Sequence, residues 1–445
     1  LIVAIEALAD HGLDPERYHL RVLETLRDSP LERERLATDA WLSAAAHLEQ
    51  GRLDPESYAP DMATSNRAGN LGSVLSRALE SGTIRSALAA RAPSHWEYVA
   101  LMQELSRLPL VEDEPVLNLT AHFTMKPGLT SPHVAELQQR LVQLGLMEEP
   151  ESPGFFDITT ATAVRDFQRQ AGLKVDAYVG PETRRELNRL LSDKRARLQV
   201  NLERWRWLPR DLGRRHVRVN VAGYTAATFE NGERQLEHAV IVGQRYRETP
   251  VFSDEITHVI LNPWWDTPRS IARKDKLPMF KNDPAAVQRL GFQVLDSNNT
   301  VLDPIAIDWQ MVSEDRFPYR LRQEPGPFNA LGRLKIMFPN KYNVYLHDTP
   351  NQQLFQKQKR TFSSGCVRVQ DVVSLASWVL EESGPWNVER LEAEIGNGST
   401  RQIDLHEPVP VHVLYFTAIV DDSGTIRYLD DIYGRDTRIW QALTR

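Results

Sequence analysis

Apolar residues recur at three- and four-residue intervals through roughly the first two-fifths of the chain and at every second residue through much of the remainder. That pattern predicts helices first and strands afterwards. Leu36, Ala37, Ala40, Trp41, Ala44, Ala45 and Leu48 make one helical stripe, ended by Gly51 with Pro55. Leu13-Asp14-Pro15-Glu16 and Leu53-Asp54-Pro55-Glu56 echo each other, followed by Tyr18 and Tyr58 respectively. Two copies are too few for a solenoid, and they read as helix-start turns with proline at the first helical position. Residues 1–118 are therefore expected to be an all-α unit.

Three shorter stripes follow within 119–192. Val134, Leu137, Leu141 and Leu144 end at Gly145; Ala163, Val164, Phe167 and the stretch to Leu173 close at Gly172; a third runs from Pro181 to Leu191. Together they predict a compact three-helix bundle of about 70 residues. From about 198 onward Val217, Val219 and Val221 alternate with polar residues, and further strands are expected at 239–242, 256–261, 334–338, 344–347 and 411–420. The last is expected to rejoin the same sheet. Residues 263–332, rich in Pro, Trp and charge, interrupt these strands and are too long for an ordinary connection, so they form a lid or a small inserted subdomain. Residues 369–382 read as a helix with Val372, Val373, Ala376, Val379 and Leu380 on one face.

Composition narrows the function classes. A chain of 445 residues exceeds one core and implies two to four domains. The net charge of −7 argues against general attraction to nucleic acid or anionic lipid. No run of 18 apolar residues is present, so no bilayer span is expected. The sequence opens at Leu1 in mid-helix, which suggests an upstream signal or anchor absent from this chain.

Cys366 is the single cysteine, so the chain can form no internal disulfide. It is either core filler or a reagent. Its neighbours in Ser363-Ser364-Gly365-Cys366-Val367-Arg368 are those of a polar turn, the setting a reactive thiolate needs. A free thiol is only a few per cent ionised at neutral pH, so activation is required. His347, 19 positions upstream, closes a predicted strand and is a candidate base. The predicted 369–382 helix would favour an anion at its start. Gly365 permits a tight turn with amides aimed at an oxyanion, and Arg368 suits a substrate carboxylate. Singly, each has a plainer reading: a satisfied strand-end histidine, a turn glycine, a surface charge. Their co-occurrence around the sole thiol favours chemistry. No two of the twelve histidines lie within five positions, which removes HxH and HExxH zinc motifs. The His-before-Cys order is the reverse of papain-like proteases, and no G-x-S-x-G elbow occurs.

The segment from Val134-x-x-Leu137-Gln138 through Gly154-x-Phe156-Asp157, Ala163-Val164-x-x-Phe167-Gln168 and Val179-Gly180-Pro181-x-Thr183 resembles the three-helix peptidoglycan-binding domain, in which glycine usually stands where this chain has Ala177. Tyr345-Leu346-His347-Asp348-Thr349-Pro350 with Ser363-Ser364-Gly365-Cys366-Val367-Arg368-Val369 resembles the active-site signature of L,D-transpeptidases. The resemblance extends through Thr249-Pro250-x-Phe252, Asn262-Pro263-x-Trp265-x-x-Pro268-x-Ser270-Ile271, Pro325-Gly326-x-x-Asn329-Ala330-Leu331-Gly332 and Asp431-Ile432-Tyr433-Gly434-Arg435-Asp436. It is to the large multi-domain Gram-negative subtype. Many family members have His at Ser364 and Asn at Arg368; the Ser and Arg version is common in the large subtype.

The resemblance implies a multi-domain protein: an all-α scaffold over 1–118, a peptidoglycan-binding bundle over 119–192, and a mainly β catalytic domain over 198–445 with a substrate-capping insertion at 263–332. It implies Cys366 as nucleophile, His347 as base, the Asp348 carbonyl orienting the imidazole with little demand on its side chain, and Arg368, Ser364, Gly365 and Tyr345 lining the substrate site. The implied reaction is 3→3 cross-linking of peptidoglycan stems with release of D-alanine, with no cofactor and no metal. Peptidoglycan stem peptides and glycan are the expected partners, with other cell-wall synthesis proteins beside them and no nucleic acid. The expected location is the periplasm, with anchoring through an N-terminal segment outside this chain. Hydrolysis by water would make the protein an L,D-carboxypeptidase, and a catalytically silent peptidoglycan-binding scaffold is the alternative from another class.

Overall fold

The computed structural model describes residues 1–26, 29–59, 69–108, 119, 121–171, 173–187 and 191–445. The expected stop at Gly172 and the boundary at 118 fall outside them. The chain forms two compact units, Leu1–Arg210 with Phe416–Arg445, and Asp211–Tyr415.

In the first unit the long helix Pro30–Gln50 buries Ala40, Trp41, Ala44, Ala45 and Leu48, as the stripe predicts. The echoed segments are 3₁₀ turns, with the Asp14 and Asp54 carboxylates accepting from the amides of Glu16 and Glu56 and proline at the first position. The helices Pro132–Gln143, Ile158–Gln170 and Pro181–Leu187 enclose Val134, Leu137, Leu141, Val164 and Phe167. Ala177 sits there at φ +63, a conformation that costs an L-residue about 1–2 kcal/mol, which accounts for the glycine usual at that place. Among the described residues no helix is long and apolar enough to cross a membrane.

The pattern places the start of the β-rich region at 198, but residues 191–210 and 416–445 belong to the first unit. The helix Leu191–Arg206 buries Leu198, Leu202 and Trp205, and Trp205 stacks on Phe416 with centroids 4.8 Å apart. Arg204 meets Asp436 at 2.6 Å, and Thr417 Oγ1 donates to Asp436 at 2.7 Å. Asp431 accepts from the amides of Arg435 and Asp436, both at 2.9 Å, and so caps the helix Arg435–Leu443. The expected 411–420 strand is therefore two elements. Arg401–Leu414 ends in the large sheet, while Ala418–Val420 pairs with Ile426–Tyr428 in a separate two-stranded sheet.

The second unit is built on strands β1 (Arg215–Asn220), β2 (Thr225–Glu230), β3 (Glu233–Gly243), β4 (Phe252–Leu261), β5 (Trp265–Asp266), β6 (Phe292–Leu295), β7 (Val301–Leu302), β8 (Arg320–Gln323), β9 (Leu334–Met337), β10 (Leu346–His347), β11 (Thr361–Ser363), β12 (Val367–Val369) and β13 (Arg401–Leu414). The main sheet runs β11-β3-β12-β10-β9-β4-β13-β1-β2 and closes because β2 also pairs with β3. Closure pairs the strands from β3 round to β2 on both sides, while β11 is added to β3 outside the ring. Residues 263–332 form a subdomain with its own sheet, β5-β8-β6-β7, over a core that includes Trp265, Phe280, Phe292, Trp309 and Leu321.

The helix expected at 369–382 begins only at Val372. Residues Val367–Val369 are committed to the sheet as β12, so Cys366 precedes a strand, and the expected contribution of a helix dipole to the thiol is withdrawn.

Asp436→Ala would leave the Arg204 guanidinium buried without this carboxylate, a change that costs about 3–5 kcal/mol. Hydrogen exchange in 191–206 and 435–443 should accelerate by about two to four orders of magnitude, with the 263–332 sheet unaffected.

Candidate active site

Two rows of side chains are set by strand register. Parallel pairing of β10 with β12 places Leu346 opposite Val367 and His347 opposite Arg368. Antiparallel pairing with β9 places Leu346 opposite Ile336 and His347 opposite Lys335. Alternation sends Leu346, Val367 and Ile336, all fully buried, to the barrel interior. Lys335, His347 and Arg368 then form a row on the other face. Two residues back along β10 and β12, Tyr345 and Cys366 occupy that same face, and the Val367 amide donates to the Tyr345 carbonyl at 3.2 Å.

The nucleophile loop is held from several sides. Gly365 has φ +119, a conformation suited to glycine. Thr249 Oγ1 donates to the Gly365 carbonyl at 2.8 Å and accepts from the Gly243 amide at 2.9 Å. A Cβ on Gly243 would lie 2.1 Å from the Arg247 carbonyl, so only glycine fits there. Ser363 Oγ donates to the Cys366 carbonyl at 2.5 Å and accepts from the Gly365 amide at 3.2 Å. The Gly365 amide is thus committed, whereas the Cys366 amide makes no hydrogen bond within the described residues. Ser364 is exposed, and its Oγ accepts from Arg247 at 2.9 Å. The same guanidinium pairs with Asp275 of the inserted subdomain at 2.7 Å.

His347 is buried, and its Nδ1 donates to the Asp348 carbonyl at 2.6 Å, which leaves Nε2 as the acceptor. The Asp348 side chain matters more than the sequence suggests. Its Oδ2 accepts from the Arg333 amide at 2.9 Å and its Oδ1 from Gln352 at 3.0 Å. Gly332, at φ +61, passes so close that a Cβ there would sit 2.5 Å from the Asp348 Cβ. Asn329 fixes this turn, donating to the carbonyls of Pro263 at 2.9 Å and Glu324 at 2.8 Å and accepting from the Leu331 amide at 2.8 Å.

The Cys366 thiol is half-buried and donates to the Asn343 carbonyl at 3.6 Å. The Tyr345 ring lies edge-on to His347, centroids 5.6 Å apart, with Lys335 Nζ 5.3 Å above it. Burial pushes the thiol pKa up, opposed by hydrogen bonds from Tyr345 and by the charges of Arg368 and Lys335. Burial, then the Arg368 charge, lowers His347 to about 3. The resting pair is therefore thiol and neutral imidazole, with no hydrogen bond between them. Burial also lowers Lys335 and Arg368, and Arg368 Nε has no hydrogen-bond partner among the described residues.

Every sequence-derived site residue lies in this region. Lys335 and Arg247 escaped the sequence reading, although a lysine between Leu334 and Ile336 in a predicted strand marks a face that must meet polar chemistry. Lys276, whose Nζ lies 5.6 Å from the Trp265 ring centroid and whose charge reaches Arg368, carried no such signal because its position depends on the fold of the insertion.

Residues 214–410 match the L,D-transpeptidase catalytic domain, residues 1–105 a "Scaffold domain", and residues 130–187 a "Putative peptidoglycan binding domain". A protein of Haemophilus influenzae named "Putative L,D-transpeptidase" is 37% identical over 243 residues, covering 55% of this chain and 48% of the relative. The chain thus spans about half the length of that relative. Among solved structures, an L,D-transpeptidase from Xylanimonas cellulosilytica aligns at 16% identity and a TM-score of 0.20, covering 68% of this chain and 100% of that one. One from Mycobacterium smegmatis aligns at 12% identity and a TM-score of 0.21, covering 45% and 58%. Residues 214–410, which contain the rows built on β9, β10 and β12, are thus an L,D-transpeptidase catalytic domain, with a peptidoglycan-binding domain ahead of it in the sequence.

Proposed function

We propose that the protein joins peptidoglycan stems through a cysteine acyl-enzyme, forming 3→3 cross-links. The observation that carries this reading is the register of β10 and β12, which puts the sole thiol and the imidazole on one face beside the Arg368 guanidinium, whose Nε has no hydrogen-bond partner among the described residues. Cys366 Sγ attacks the carbonyl of the third residue of a tetrapeptide stem while His347 Nε2 takes its proton. The Sγ–C bond forms, the C–N bond breaks, and the proton passes to the amine of the leaving D-alanine. The side-chain amine of a second stem then attacks the thioester, losing its proton to His347 and returning the thiol. The Cys366 amide is the donor available to the oxyanion. Arg368 Nε faces a donor carboxylate, with Ser364, Gly365 and Tyr345 lining the cleft.

A neutral resting pair suits this sequence. The thiolate forms only as the proton leaves, and the neutral imidazole is present across the physiological range. The 263–332 subdomain caps the site and limits water entry, which favours transfer over hydrolysis. Peptidoglycan places the work outside the cytoplasm, in the periplasm, where other cell-wall synthesis proteins would be its neighbours.

Incubation with a carbapenem should give a stable adduct in intact-protein mass, absent in Cys366→Ala; no adduct on the parent chain would favour the silent scaffold. His347→Ala should lower kcat/KM for tetrapeptide donors by about 10²–10⁴-fold. The base must be neutral to act, so activity is lost as pH falls through its pKa. With that value near 3, kcat/KM should stay nearly flat from about pH 5 to 8, whereas a base at the ordinary value of about 6.5 would lose about thirtyfold at pH 5. Arg247→Met cuts the link from Ser364 to Asp275 and should raise hydrolysis relative to transfer. An unchanged product ratio would count against the capping role.

A further inference from the structure

Lys335 stands in the site row without an anion of its own. Strand register sets it beside His347 on β9, as it sets Arg368 beside His347 on β12. Neighbouring strands lie about 4.8 Å apart, so the two cations are about 10 Å apart at the backbone, with the imidazole between them. Lys335 Nζ leans over the Tyr345 ring, 5.3 Å from its centroid, and Cys366 follows on the far flank of Tyr345, on β12. Asp266, the carboxylate whose charge reaches Lys335, is paired with Arg320 at 3.4 Å. Lys335 itself makes no hydrogen bond or ion pair among the described residues. Its half-buried ammonium has given up water without gaining a counter-ion, and an incoming carboxylate would make good that loss.

Both cations bear on what a donor stem can carry. In the reaction proposed above, the carboxylate of D-alanine meets Arg368 and leaves with the amine. The acyl half stays on Cys366. Where donor and acceptor stems are alike, its third residue bears a side chain ending in an amine. A bare ammonium would be repelled by Lys335 and Arg368 in a site with little water. A side chain with a carboxylate beside its amine would be held. Resting on the reading of Cys366 as the nucleophile of stem joining, we propose that Lys335 is a specificity-determining residue that binds a side-chain carboxylate on the third residue of the donor. The site thus takes a diamino diacid there in preference to a plain diamino acid such as lysine. The Tyr345 ring, between Lys335 and Cys366, gives an apolar floor to the methylenes that join the two ends. This contact outlasts acylation, because the carboxylate it holds remains on the enzyme while the acceptor arrives.

Lys335→Met keeps the length of the side chain and removes its charge, whereas Lys335→Arg keeps the charge. The readout is kcat/KM for D-alanine release by the full chain from three tetrapeptide donors. They differ only at the end of the third side chain: a free carboxylate, the same carboxylate amidated, and lysine. The parent should favour the free carboxylate over the amide by about tenfold or more, the size of one hydrogen bond between charged groups. Lysine should do no better than the amide. Lys335→Met should bring that ratio close to one, and Lys335→Arg should keep most of it. The ratio separates recognition from any effect of the Lys335 charge on the thiol, which all donors share. A parent without preference overturns the inference, whether or not the variants fold. So does a Lys335→Met that slows all three donors alike and leaves the ratio standing. Either result leaves the acyl-enzyme reading intact, since D-alanine is still released. No release from any donor overturns both.

Discussion

The pairing of β10 with β12 is the constraint on which the site depends. Each strand is only two or three residues long, yet their register decides which side chains share a face. A slip of one residue would exchange His347 for Leu346 or Cys366 for Val367 on that face. The slip is prevented on the hidden side of the barrel, where Leu346, Val367 and Ile336 pack together. The apolar interior therefore fixes the polar exterior. The geometry of the candidate site is inherited from packing on the hidden face of the sheet.

Around that row, burial and charge pull in opposite directions. Removing Cys366 and His347 from water disfavours their charged forms, so the resting site holds a neutral pair. Lys335 and Arg368 favour negative charge on sulfur and disfavour positive charge on the imidazole. Such an environment suppresses a standing ion pair and favours negative charge on the sulfur. The buried cations are themselves held at a desolvation cost, which persists because neighbouring strands and the inserted subdomain over-determine their positions.

Much of this was legible in the sequence, and the exceptions share a physical origin. Helical stripes and glycine stops located the first unit's helices, because those signals are local. Cys366, His347, Gly365 and Arg368 are visible in the sequence because their types and spacing stand out around a single thiol. Lys335 and Arg247 were missed because a lone lysine or arginine gains meaning only from what lies across a strand or loop. The helix at 369–382 was extended too far back because Val367 and Val369 fit either period, and β3 and β10 claim them for the sheet. The 411–420 strand was drawn too long because the turn at 415–417 is itself apolar, and burial inside a turn imitates burial inside a strand. The side chain of Asp348 was undervalued since its partners, Arg333 and Gln352, come together only in the folded turn.

Gly332 shows how far the support of the base reaches. The absence of a side chain there lets the Asp348 side chain lie almost against the backbone of residue 332, and the carbonyl of that same aspartate grips the imidazole. Even a single methyl would wedge them apart and tilt the ring from behind. The tolerance of this fold to change is therefore narrowest at a position that carries no chemical group at all.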